Sequence, residues 1–149
     1  MRSTLIYRLH PRFHVGIEYN PKVGEVHPLI TFIAVTETIN RLAVILGISS
    51  DRIGTPSGTS VYATVSKDLQ HWTGLPIAPY AGVVYGSYEK KFRPIGGLNV
   101  RLPYNVTALM QFDGVKLHPS LTHTFNDTHA LTFLMIQAKN PGFTYTFSF

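Results

Sequence analysis

Residues 141–149 alternate without a break: Phe143, Tyr145, Phe147 and Phe149 share one parity, and Gly142, Thr144, Thr146 and Ser148 the other. A period of two belongs to a β-strand, whose successive side chains point to opposite sides of a sheet. An aromatic face this continuous has to be covered, by a second protein layer or by lipid. The chain must therefore supply a sheet for this strand to join.

The same period runs through most of the sequence. Residues 3–19 put Leu5, Tyr7, Leu9, Pro11, Phe13, Val15, Ile17 and Tyr19 on odd positions, opposed by Arg8, His10, Arg12, His14, Gly16 and Glu18. A two-residue hairpin at His10-Pro11 would pair residues of unlike parity, yet the apolar set does not switch parity there. The pattern predicts one long strand with Pro11 at an irregular or edge point, the alternative being a three-residue loop without the usual Gly. Residues 28–38 are rich in β-formers on both faces. Residues 41–50 put Leu42, Val44, Leu46 and Ile48 on one parity, but Ile39, Leu42, Ala43 and Leu46 also fit a helical face, so 36–48 stands open between strand and helix. Residues 49–60, with a turn at Gly54-Thr55-Pro56, read as the longest loop, and 68–75, holding Trp72, as a second.

Further strands are expected over 60–67, 76–88 and 91–102, with a tight turn at Glu89-Lys90 and a bulge or bend at Gly96-Gly97. Around Asp113-Gly114 the apolar set switches from even (Val106, Ala108, Met110, Phe112) to odd (Val115, Leu117, Pro119, Leu121). A two-residue type I′ loop there pairs 112 with 115 and brings both sets to one face. Residues 129–138 form the penultimate strand, and Lys139-Asn140-Pro141 turns into the last. The sum is about ten strands in one all-β, antiparallel, up-and-down domain over residues 1–149.

What the apolar faces meet is a question of charge. Only 14% of the residues are charged, against roughly 25% in an average soluble domain. The faces opposite the apolar sets carry charge singly, at Arg8, Arg12, Glu18, Arg93, Arg101 and Lys116. A soluble barrel or jelly roll would turn those faces to water and load them with Lys and Glu. Apolar-out and polar-in is the alternation of a transmembrane β-barrel, and no run of 18 apolar residues offers a membrane helix instead. An even strand count would let the first and last strands close antiparallel.

With Phe149 at its end, the last strand resembles the closing strand of Gram-negative outer-membrane β-barrel proteins, in which a terminal Phe serves as the assembly signal. The resemblance implies a bacterial outer-membrane location, outer-membrane lipid or lipopolysaccharide around the barrel, and recognition by the barrel-assembly machinery. Residues 1–8 lack the apolar core and cleavage site of a signal peptide, so such a chain is expected to be a mature or trimmed form, or to miss N-terminal strands. Phe112, Leu117, Phe143, Tyr145 and Phe147 are then expected to face lipid. Arg8, His10, Arg12, His14, Arg93, Asn99, Arg101, Gln111, Lys116 and His118 are expected to line the lumen.

The expected role is a structural barrel or a narrow anion-preferring pore. About eight strands leave an interior that side chains fill, so at about ten strands Arg, His and Tyr side chains are expected to occlude most of the lumen. Arg8, Arg12, Arg93 and Arg101 favour anions unless Glu18, Glu37 and Asp113 neutralise them. A lipid-modifying enzyme is the alternative, because His118-Pro119-Ser120 resembles the His-x-Ser pair of lipid A deacylase, a small outer-membrane barrel. The chain departs from that pattern: no Glu follows Glu89, only Asp127 is left to orient the His, and the pair sits on the inferred lumen face. A soluble binding barrel is the third reading.

Other chemistry finds little support. Cysteine is absent, which excludes disulfides and thiolate metal sites. On one strand His10 and His14 would lie about 13 Å apart, too far to share a metal. Net charge is +5, but the basic residues are scattered, with Lys90-Lys91 the only adjacent pair, a poor footprint for nucleic acid. Ser57-Gly58-Thr59 lacks the Lys of a phosphate loop, and no cofactor is expected.

Overall fold

A computed structural model describes residues 3–21, 23–52, 55 and 57–149. Among the described residues eleven strands follow one another in chain order: β1 (Ser3–His10), β2 (Phe13–Asn20), β3 (Glu25–Val35), β4 (Ala43–Ser50), β5 (Thr59–Ser66), β6 (Ile77–Gly86), β7 (Lys91–Leu102), β8 (Val106–Phe112), β9 (Leu117–Thr124), β10 (His129–Ile136) and β11 (Asn140–Phe147). They form one sheet whose spatial order is the chain order, an antiparallel meander. Contacts divide the chain into two compact units, Met1–Ser66 with Gly82–Pro94, and Lys67–Ala81 with Ile95–Phe149.

The strand count differs from the expected ten because residues 3–19 fold back on themselves. Arg8 pairs with His14 and Tyr7 with Val15, and the register shifts between Arg8 and His10. The shift inserts one extra residue into β1. That residue restores the parity a two-residue loop would have broken, so one odd-numbered apolar set serves both strands. The apolar pattern alone could not distinguish this bulged hairpin from a single strand. An odd count also departs from the even number on which the expected antiparallel closure rested.

Residues 36–48 contain no helix: β4 begins at Ala43, and Ile39 and Leu42 are exposed in a connection whose one bridge joins Thr38 to Arg41. The loop expected over 49–60 is shorter, because β4 runs to Ser50 and β5 starts at Thr59; Ile53, Gly54 and Pro56 lie outside the described residues. The loop around Trp72 contains a single helical turn, α1 (Gln70–Thr73), ended by Gly74 in the left-handed conformation. Lys90 takes a φ of 52° in the expected turn after β6.

Gly96 and Gly97 make no bulge against β8, where the register Gly96↔Phe112, Gly97↔Gln111 runs on unbroken. What Gly97 supplies is space: a Cβ there would collide with the Met110 carbonyl oxygen and the Tyr80 ring. The β8–β9 connection spans four residues rather than two, with Phe112 paired to Leu117. Adding two residues preserves parity, so the apolar sets still share a face. The last hairpin turns at residues 137–139, with Gln137 and Ala138 at φ 57° and 52°, and Asn140 and Pro141 already belong to β11.

Candidate functional site

Cross-strand partners share a face, so the strand registers sort the paired side chains of each unit onto two faces. In the first unit one face carries the rows Leu5–Ile17–Pro28, Tyr7–Val15–Ile30–Ile48–Val61 and Phe13–Phe32–Leu46–Ala63. The other carries Thr4–Glu18–His27 and Arg8–His14–Thr31–Gly47–Tyr62. In the second unit the apolar face holds Leu98–Met110–Pro119 and Val100–Ala108–Leu121–Phe133–Phe143. Opposite lies a ladder of Arg101 and four threonines, Thr107, Thr122, Thr132 and Thr144, in which the Thr122 and Thr132 hydroxyls hydrogen-bond at 2.8 Å.

Exposure follows these faces in the reverse of the usual order. Leu5, Ile17, Phe32, Leu46 and Val61 are exposed in the first unit, and Leu98, Met110, Leu121 and Phe133 in the second. Among the described residues the only buried hydrophobic one is Ala43, whereas Asp51, Thr55, Ser60, Lys67, Asp113 and His118 are all buried. Soluble domains bury the first kind and expose the second. The apolar face of the second unit also holds a depression of about 360 Å3, where the small side chains of Ala108 and Pro119 lie among Leu98, Met110, Leu121 and Phe133.

Two tyrosines lie across glycines on the polar side. A Cβ on Gly47 would overlap the ring of Tyr62, whose hydroxyl stands 3.3 Å from the Thr31 hydroxyl. Tyr80 covers Gly97 in the same manner. Each glycine makes room for a ring to lie along the sheet instead of standing off it.

Three polar clusters fasten the strand connections. In the first, Glu89 accepts from Arg52 at 2.8 Å and from Arg93 at 2.7 Å, while the buried Asp51 carboxylate accepts the backbone N–H of Tyr88 at 3.0 Å. Hydrogen bonds from Arg52 and then Arg93 lower the Glu89 carboxyl to about 2. In the second, Arg101 meets Asp68 at 2.8 Å and also bonds Gln70 on α1, and Lys67 sits 4.6 Å from the Trp72 ring. The hydrogen bond from Arg101 is the main cause of a lowered Asp68 carboxyl.

The third cluster is the most buried. Asp113 Oδ1 accepts the backbone N–H groups of Val115 and Lys116, at 2.9 and 2.8 Å, and Oδ2 lies 2.9 Å from His118 Nε2. The Gln137 backbone N–H donates to His118 Nδ1 at 3.1 Å, which leaves the ring proton on Nε2, donated to Asp113. Burial pushes the Asp113 carboxyl up, but the N–H of Lys116, the His118 ring and the N–H of Val115 outweigh it and hold it below its ordinary value.

The residues expected to line a lumen thus separate into groups. Arg8 and His14 are partners on one polar row; Asn99 and Gln111 also lie on the polar face. His10 ends β1 and its Nδ1 accepts the Arg12 N–H at 3.1 Å, so both belong to the hairpin turn rather than to a strand interior. Arg93 and Arg101 are ion-paired, with acids other than the three expected. Lys116 is in the β8–β9 connection, bonded to Gln137 at 2.6 Å. His118 is oriented by Asp113, not Asp127, and both its ring nitrogens are occupied, which leaves neither to take a proton from Ser120.

Of the residues expected on the lipid side, Leu117, Phe143, Tyr145 and Phe147 are exposed and Phe112 is half-buried. Phe149 is exposed, its ring 6.3 Å from that of Phe147. Asp51, Asp68, Glu89, Tyr62 and Tyr80 were not legible as partners. Only the i,i+4 spacing of Glu89 and Arg93 hinted at one of these links. No protein-family model, curated protein or solved structure matches this chain.

Proposed function

We propose that the chain forms the wall of a transmembrane β-barrel in a bacterial outer membrane, with a structural role. The observation that carries this reading is the inverted partition: apolar rows lie on the exposed face, and the buried positions are nearly all polar. Strands can cross a membrane only when their outward face is apolar and their backbone groups are paired within a sheet. The 360 Å3 depression suits the acyl chain of a surrounding lipid or lipopolysaccharide. Insertion by the barrel-assembly machinery, with Phe149 as the signal, belongs to the same proposal.

A narrow anion-preferring passage is the second reading, favoured by Arg8 and His14 on one polar row and weakened by the pairing of Arg93 with Glu89 and Arg101 with Asp68. Refolding into detergent and lipid vesicles tests the main proposal. The expected results are heat-modifiable gel migration and protection from protease in vesicles. A compact monomer that stays in solution without detergent would overturn it in favour of a soluble barrel. Planar-bilayer recordings decide the second reading, which requires anion-selective steps that weaken in Arg8→Ala.

A further inference from the structure

Strand β11 has one neighbour among the described residues, β10, and its other edge is open. The orientation of its backbone follows from two facts. Residues 148 and 128 share a hydrogen bond, with the Ser148 N–H donating to the Thr128 carbonyl at 2.8 Å. The ladder pairs Thr146 with Ala130, Thr144 with Thr132 and Gly142 with Leu134. Bonded and non-bonded pairs alternate in an antiparallel ladder, so Gly142, Thr144 and Thr146 bond to β10. Phe143, Tyr145 and Phe147 therefore direct both N–H and C=O to the open edge. Pro141 belongs to that outward set, where its missing N–H breaks no internal bond.

Open edges are ordinarily blunted by charge, proline, bulges or shortness. Strand β11 has one of these, Pro141 near its start, and otherwise presents a plain edge: eight residues pair with β10 without a register shift, and none of the eight is charged. Strand β1, at the other end of the order, carries Arg8 and a bulge. The edge of β11 is also self-complementary. Turned about a two-fold axis through Tyr145, it sets Tyr145 opposite Tyr145 of a second copy, and Phe143 opposite Phe147. Thr144 then meets Thr146 on the other face. The outward N–H and C=O of three residues on each copy come into bonding register, aromatic face meets aromatic face, and the pairing is antiparallel like every other in the sheet.

We infer that β11 is an edge-to-edge interface between two copies of this chain, paired antiparallel about Tyr145. The inference follows from backbone direction and strand composition; where it is joined to the barrel reading above, the wall is completed by more than one copy of the chain, with β11 paired to β11.

The absence of cysteine makes the test clean. Single-cysteine variants of the full chain are oxidised at low concentration after refolding in detergent, with circular dichroism to verify the sheet. Tyr145→Cys is expected to give a disulfide-linked dimer. Phe143→Cys alone is expected to stay monomeric, because its own counterpart lies four residues, about 13 Å, along the strand. A mixture of Phe143→Cys and Phe147→Cys should cross-link between copies. Tyr145→Pro removes only an outward N–H and should shift the protein to monomer with the sheet retained. Monomeric Tyr145→Cys, equal cross-linking at all three positions, or a dimer indifferent to Tyr145→Pro would overturn the inference.

Discussion

Asp113 and His118 face each other across 2.9 Å at the β8–β9 connection, both more than nine-tenths buried, and the Gln137 N–H completes the bonding of the imidazole. The His that the sequence offers as a general base is thus a brace between two hairpin loops. His118→Ala leaves a buried carboxylate short of one partner and a backbone N–H without its acceptor. The expected cost is about 1.5–3 kcal/mol. Ser120→Ala should change stability by less than ~0.5 kcal/mol. Denaturant unfolding in detergent measures both, and equal effects would contradict the assignment.

Glu89 supplies the pH dependence with the largest expected reach. Its carboxyl is lowered from 4.5 to about 2 by Arg52 and Arg93, so its contribution is fully present above pH 4.5 and is lost as pH falls toward 2. Comparing the wild type with Glu89→Gln over this window reads it directly. The stability difference should shrink steadily with acid, and a difference independent of pH would show that the ion pairs do not contribute.

Gly47 and Gly97 are paired with the rings of Tyr62 and Tyr80. Either Gly→Ala change forces a ring off the sheet or moves a strand, with an expected loss of about 1–3 kcal/mol. The loss should be smaller in Gly47→Ala/Tyr62→Ala than the two single changes sum to. Strict additivity in that double-mutant cycle would mean that ring and glycine are not coupled.

Leu121 and Thr122 are neighbours on opposite faces of β9. If the apolar face meets lipid, Leu121→Arg should cost roughly 2–4 kcal/mol in vesicles, and Thr122→Arg distinctly less. Unfolding in vesicles of refolded protein provides the comparison. Equal costs would undo the assignment of faces.

That the chain is antiparallel β, and which side chains share a face, could be read from the order of residues alone. Both follow from a period of two, which survives any change in loop length that preserves parity. That is why Met110, Phe112 and Leu117 fell on one face although the loop at Asp113 was misjudged by two residues. For the same reason the hairpin at residues 10–13 was invisible, since the bulge in β1 cancels the parity change that would have revealed it. The count of eleven strands among the described residues emerged only in three dimensions. So did the partners of the charged residues. Asp68 with Arg101, Arg52 with Glu89 and Asp113 with His118 meet through loop geometry, and loops carry no periodicity to read. Alternation records a side chain's face; which acid a given base meets depends on where the backbone turns.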